Sequence, residues 1–228
     1  MADFSRYGPA SDEWLALEKS LPQIPPLRND SILQARRAVN ITRETLAAEG
    51  MKALQSQVHV KDYAIPTRDG ETIEARTYCP KDEDKVLPLY IHLHGGGFFF
   101  GTLASEDATC SRIALNAQVI VLNVNYRHVP EYTYPTALND TEDAFEWVHQ
   151  NMEELGTDHQ RIVIGGVSVG AQLAASLVLQ KKLGRSAITV KYPELRGQIL
   201  MIPCVVNMYC YEPQLKKLKH PSISSYEE

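Results

Sequence analysis

Several features that would assign a function at once are scarce or missing in this 228-residue sequence. Its four cysteines, Cys79, Cys110, Cys204 and Cys210, form no C-x-x-C pair, which argues against zinc-binding or thioredoxin-like chemistry. No apolar run is long enough to span a bilayer. The opening residues, Met1-Ala2-Asp3-Phe4-Ser5-Arg6, lack the apolar core of a signal peptide. The closing Ser225-Tyr226-Glu227-Glu228 carries no peroxisomal or retention signal. A reduced, cytoplasmic location is therefore the expectation. The net charge is −5 with no basic patch, so nucleic acid is not an expected partner. One scarcity bears on chemistry. After residue 168 there is no aspartate, a single histidine (His220), and only Glu194, Glu212, Glu227 and Glu228 as acids.

What is present describes a globular domain. Hydrophobic residues make up 44% and charged residues 22%. A chain this long can bury roughly 70% of its unfolded surface without a disulfide or a metal. Residues 1–55 read as an N-terminal helical segment. A short helix opens at Ser11-Asp12-Glu13, prolines interrupt at Pro22, Pro25 and Pro26, and a second helix covers Ser31 to Ala53. Its expected inward face is Ile32, Ala35, Val39, Thr42 and Leu46. That segment is either an amphipathic helix packed on a core or a lid over a pocket. Val58 to Ile65 and Thr72 to Cys79 then read as an antiparallel pair turning at Asp69-Gly70.

From there short apolar runs alternate with helical segments. Leu87 to Leu93, Val119 to Val124, Arg161 to Gly165 and Gln198 to Val206 are nearly continuous in apolar residues, as strands covered on both faces should be. Pro135 to Leu155 carries Leu138, Phe145, Val148, Met152 and Leu155 at helical spacing. The predicted class is α/β: a mostly parallel central sheet with flanking helices over residues 56–228.

Two glycine motifs carry the chemistry. Gly166-Val167-Ser168-Val169-Gly170 follows a predicted strand and opens into the helix former Ala171-Gln172-Leu173-Ala174-Ala175. This strand–turn–helix setting suits a nucleophile elbow, in which a sharp turn exposes the Ser168 hydroxyl at a helix N-terminus. Alone, the pentapeptide could equally be a glycine-rich strand end that packs closely. His94-Gly95-Gly96-Gly97 follows another strand. Backbone N–H groups freed of side chains there can converge on a carbonyl oxygen under attack. The candidate oxyanion donors are Gly96, Gly97 and Val169, with His94 and Gly95 supporting the loop. A phosphate cradle is the alternative for a glycine run, but no Gly-Lys-Ser/Thr follows.

With Phe98 after the glycines, Asn125-Tyr126-Arg127-His128-Val129-Pro130-Glu131, and then Pro135, Ala137 and Asp140, the sequence resembles the hormone-sensitive-lipase-like branch of the α/β-hydrolases. The resemblance runs from about Val58 to Tyr211. It implies the α/β-hydrolase fold, Ser168 as the catalytic nucleophile, a small-molecule carboxylic ester as substrate, and no cofactor or metal. It makes residues 1–55 part of a cap. Fungal members of the branch often serve as tailoring hydrolases in secondary metabolism.

The sequence departs from the resemblance in two places. Val167, Val169 and Ala171 stand where the branch commonly has an acidic residue, a small one and a glycine, and Val169 is expected to crowd the oxyanion site. The expected order of Ser, then acid, then His is not completed after Ser168. Glu212 and His220 are in the right order but too close to enclose a strand and a helix. His128, in a loop after a strand, reads as structural, and His149 reads as a solvated position on a helix. The resemblance implies further strands, so the chain is expected to be cut short after its sixth strand, with its C-terminal strands missing. The unpaired edge this leaves favours self-association into a homo-oligomer. Three functional readings follow. The first is a shortened serine esterase. The second is a non-catalytic small-ligand-binding protein on a hydrolase scaffold, as in the plant gibberellin receptors, which resemble this branch. The third is an active enzyme whose base comes from another chain or from an unorthodox position.

Overall fold

The computed structural model describes residues 10–20, 32–81 and 86–205. The chain divides into two compact units, one of residues 1–30 with 206–228 and one of residues 31–205. The described part of the first contains helix α1 (Asp12–Ser20). Ser11 Oγ accepts the Trp14 N–H at 3.2 Å, and Asp12 and Glu13 in the first turn complement the helix dipole.

The second unit runs α2 (Ile32–Met51), β1 (Val58–Pro66), β2 (Thr72–Pro80), β3 (Leu87–Leu93), α3 (Leu103–Ala117), β4 (Ile120–Asn125), α4 (Thr136–Gln150), α5 (Met152–Leu155), β5 (Thr157–Val167), α6 (Val169–Lys182) and β6 (Gly197–Met201). The strands form one sheet in the order β1-β2-β4-β3-β5-β6. The pairs β4–β3, β3–β5 and β5–β6 are parallel, whereas β1–β2 and β2–β4 are antiparallel. This is the mostly parallel, helix-flanked sheet that the apolar runs predict. Among the described residues no helix is long and apolar enough to cross a membrane.

Side chains alternate across the sheet with period two, and in the central strands β3 and β4 both faces are buried. Leu89, Ile91 and Leu93 of β3, with Leu122 and Ile164, join Phe145 of α4 and Leu173 and Leu177 of α6 in the main core. Tyr90 and Val121 point the other way and pack with Cys110 and Ala114 of α3. After β3 the chain moves to one side to form β4, and later returns past β3 to form β5. The carboxyl ends of β3 and β5 thus flank a topological switch point, where open α/β sheets bind ligands.

Several expectations need correction. Helix α3 was not foreseen, because its buried face is built from small and polar residues such as Ser105, Ala108, Cys110, Ser111 and Ala114. Its start is nonetheless written locally. Thr102 accepts the Ser105 N–H, and Ser105 Oγ accepts the Thr102 N–H, both at 3.1 Å, which is a capping box. The single helix expected over Pro135 to Leu155 breaks at Asn151 into α4 and α5.

Strand β6 ends at Met201 instead of reaching Val206. Ile202 takes a left-handed φ of 44°, and Pro203 has no N–H to offer a ladder. The chain continues through residues 202–228 after its sixth strand, so the expected truncation directly after that strand does not hold.

The face of α2 is only partly the expected one. Ala35 and Val39 are half-buried, but Ile32 is 57% and Leu46 70% exposed and Thr42 is exposed too, whereas Arg36, Asn40, Arg43 and Glu44 turn inward beside the buried Ala47. Helix α2 is attached both by small residues packed inward, with Ala47 buried and Gly50 close against Ala108 of α3, and by hydrogen bonds to the loops beyond β3 and β4.

Candidate active site

Strand β5 passes into α6 through Ser168, the N-cap residue of that helix, at φ 55° and ψ −117°. These angles mirror an ordinary extended conformation and suit only glycine without cost. A serine held there stores on the order of 1–3 kcal/mol of strain. The turn is fixed on both sides. Ser168 N–H donates to Met201 O at 2.9 Å, continuing the β5–β6 ladder, and Gln172 N–H donates to Ser168 O at 3.0 Å, closing the first turn of α6. Val169, the first residue of α6, is buried and its N–H belongs to the positive end of the helix dipole. Lys181 and Lys182 in the last turn complement the opposite end.

The loop after β3 lies directly against this elbow. A side chain at Gly95 would meet Val167 O at 3.0 Å, and one at Gly170 would meet His94 O at 2.5 Å. The two backbones approach so closely that neither position has room for a Cβ. Gly96 has φ 143°, and a Cβ there would overlap the Phe100 carbonyl. Gly96 O accepts the N–H groups of Phe99 at 2.9 Å and Phe100 at 2.8 Å, which folds the loop into a tight turn.

A network of buried groups supports the loop. The His94 ring stacks on Tyr126 at 4.5 Å, and Tyr126 Oη donates to His94 O at 2.7 Å. His94 Nδ1 lies 3.1 Å from Gly95 O. His128 packs against both rings, 5.2 Å from His94 and 5.1 Å from Tyr126. Burial pushes the His94 imidazole down to about 3, aided by neighbouring His128. Burial and the nearby Arg36 charge push His128 down to about 4. Both rings are therefore neutral near pH 7. Arg43 donates to Gly95 O at 3.2 Å and to Glu106 Oε1 at 2.7 Å, while Glu106 Oε2 lies 3.3 Å from His92 Nε2. Burial raises the Glu106 carboxyl, but His92, His94 and Arg43 outweigh it and hold it below the usual range.

The Tyr126–Glu131 segment frames the same region. Arg127 grips the fully buried Asp140, with Nη2 at 2.6 Å from Oδ1, and also reaches Asp69 at 2.7 Å. Arg36 pairs with Glu131, which lies well below its ordinary pKa, at about 2, chiefly through that hydrogen bond. Beside Phe98 a pocket of about 160 Å³ is lined by apolar groups that include Leu138, Pro135 and Leu173. Among the described residues no group of three or more His, Cys, Asp or Glu side chains could hold a metal ion.

The fold thus brings the loop that begins at His94 and Gly95 against the elbow at residues 167–170, which holds Ser168 and Val169; Gly96 and Gly97 follow in the same loop. Glu212 and His220 lie outside the described residues. His149 is not a solvated surface residue as expected. Its ring stacks on Tyr192 at 4.6 Å and meets the edge of Phe145 at 4.6 Å, so it packs between α4 and the segment leading into β6. Sequence reasoning missed the contribution of α2. Its signal was present as Arg36, Asn40, Arg43 and Glu44, polar residues recurring at helical spacing. Asn40 Oδ1 accepts the Gly101 N–H at 2.9 Å and Glu44 Oε1 accepts from Thr102 Oγ1 at 2.7 Å.

Residues 90–225 match the model of a family described by the α/β-hydrolase fold, so the match extends well past the end of β6 at Met201. The chain is 36% identical over 160 residues to an ethyl acetate hydrolase of Pseudomonas putida, covering 69% of this chain and 48% of that protein. It is 38% identical over 136 residues to the carboxylesterase NlhH of Mycobacterium tuberculosis, covering 59% of this chain and 41% of that one. A solved hyperthermophilic esterase from Pyrobaculum calidifontis superposes with a TM-score of 0.70 at 30% identity, over 88% of this chain and 60% of that one. The chain spans about half the length of the curated relatives it matches.

Proposed function

Since the chain belongs to the α/β-hydrolase fold family, we propose that it carries the nucleophile and the oxyanion donors of a serine hydrolase acting on small carboxylic esters. One observation carries the reading. The strained Ser168 turn and the Gly95–Gly97 loop are locked backbone to backbone at the carboxyl ends of β5 and β3. Ser168 Oγ attacks the ester carbonyl, and the charge developing on its oxygen is held by the N–H groups of Gly96, Gly97 and Val169. Collapse breaks the ester C–O bond, the leaving oxygen takes up the proton given up by Ser168 Oγ and departs as the alcohol, and water then cleaves the acyl–Oγ bond to release the acid and restore the hydroxyl. His94 and Gly95 act as supports of the loop. The neutral, buried His94 and the crowding around it fit a brace better than a base. The similarity to an ethyl acetate hydrolase and a carboxylesterase supports a small ester as substrate. The narrower reading, a tailoring step in secondary-metabolite biosynthesis, is supported by the sequence resemblance alone.

The test is labelling of the folded chain with a fluorophosphonate, with hydrolysis of p-nitrophenyl acetate measured in parallel. Labelling at Ser168, lost in Ser168→Ala, is the expected result. A folded chain that neither labels nor turns over ester, yet is stabilised by a small apolar ligand, would instead establish a binding protein.

A further inference from the structure

A trans peptide is planar, so its C=O and the following N–H point in opposite directions. None of the glycine-loop peptides is cis. Whatever holds Gly95 O therefore aims Gly96 N–H, and whatever holds Gly96 O aims Gly97 N–H. The second carbonyl is held within the loop, by the N–H groups of Phe99 and Phe100. The first is held from outside the loop by Arg43 of α2 at 3.2 Å, with His94 Nδ1 of the loop itself as a second neighbour at 3.1 Å.

Arg43 is itself fixed. Its other nitrogen is 2.7 Å from Glu106, a residue only 7% exposed, whose second oxygen faces His92. The guanidinium fork thus joins a carbonyl of the loop to a carboxylate of α3 with little freedom to turn. Asn40, one turn before Arg43, and Glu44, the residue after it, bind Gly101 and Thr102 at the far end of the loop.

We propose that Arg43 is a positioning residue that aims the Gly96 N–H, so that docking of α2 sets one of the oxyanion donors. The proposal rests on the reading of residues 94–97 as an oxyanion loop. Arg43 touches no reacting atom. Its effect falls on the transition state, where the charge on oxygen develops, and not on ground-state binding.

The experiment compares the full chain with Arg43→Met by two measurements. In protein labelled with 15N-glycine (the sequence has 13 glycines), the Gly96 amide resonance is expected to shift or broaden in Arg43→Met, whereas Gly97 stays in place. Loss of one oxyanion donor costs about 100- to 1000-fold. With His94 still beside Gly95 O, a fall in kcat of roughly 10- to 100-fold is expected, with KM within about twofold. A Gly96 resonance that does not move in the folded variant overturns the proposal whatever the ester turnover. So does a loss that lies in KM alone. If Gly96 moves but the wild-type chain neither labels nor hydrolyses ester, the hydrolase reading falls and the positioning of Gly96 by Arg43 stands. Should Arg43→Met not fold, Arg43→Lys serves instead. It keeps the charge but not the fork, and an unchanged Gly96 resonance there has the same overturning force.

Discussion

Replacing Gly96 with alanine separates a special backbone position from a merely flexible one, with Gly97→Ala as its partner. At Gly96 two costs add. A φ of 143° is a conformation nearly restricted to glycine, costing on the order of 1–3 kcal/mol for alanine. The new Cβ also overlaps the Phe100 carbonyl, and relief requires opening the turn that holds Phe99 N–H and Phe100 N–H on Gly96 O. Each such hydrogen bond contributes about 0.5–1.5 kcal/mol. The expected loss is about 3–4 kcal/mol. Gly97 has φ 63° and no atom within 4 Å of a built Cβ, so only the left-handed backbone is penalised, by about 1–2 kcal/mol. Urea unfolding of the three proteins with a common m-value reads the difference. Fluorophosphonate labelling of Gly96→Ala under folding conditions should also slow by roughly 100-fold. Equal midpoints for the two variants would refute the steric account of the loop.

Three further outcomes follow from the same geometry. Ser168→Gly should abolish labelling yet raise stability by about 1 kcal/mol, because glycine accepts φ 55° and ψ −117° without strain; a stability below wild type would contradict the strained elbow. Stability should fall between pH 7 and pH 5. His94 and His128 have depressed folded-state values of about 3 and about 4, so the unfolded chain takes up their protons first and each imidazole costs on the order of 2 kcal/mol by pH 5. Denaturation across that range should show the slope roughly halved in His128→Asn, and a flat profile would exclude buried neutral rings. Asp140→Ala, which leaves Arg127 only the exposed Asp69 as an ionic partner, should cost about 3 kcal/mol in thermal or urea unfolding, and a loss under 1 kcal/mol would show that the pair is not a structural anchor.

Legibility in the sequence followed the strength of local signals. The β1–β2 hairpin and strands β3, β4 and β5 were readable because fully buried strands leave continuous apolar runs and Asp69-Gly70 is a turn signal. The elbow at Ser168 and the glycine loop were readable because a backbone without room for Cβ atoms leaves glycine in the sequence. Helix α3 was not, since its inner face of alanine, serine and cysteine gives no apolar period. The inward face of α2 is only half legible: Ala35 and Val39 follow the apolar-inside rule, whereas Ile32 and Leu46 are exposed because polar residues that hydrogen-bond to the loops share that face. His149 reads as solvated because it is a polar residue on a helix, and the ring that stacks on it belongs to Tyr192, more than forty residues later.

By itself, then, the sequence determined the fold class and the two backbone-crowded turns, because both depend on residues that are neighbours in the chain. Only the tertiary structure decided that these turns meet, through Gly95 against Val167 and Gly170 against His94, since the strand order that brings β3 beside β5 is a long-range property. It also decided that a charged face of α2 grips the loop at Gly95. Arg43 and Glu106 are 63 residues apart, and the hydrogen bond between them exists only once α2 and α3 are packed side by side.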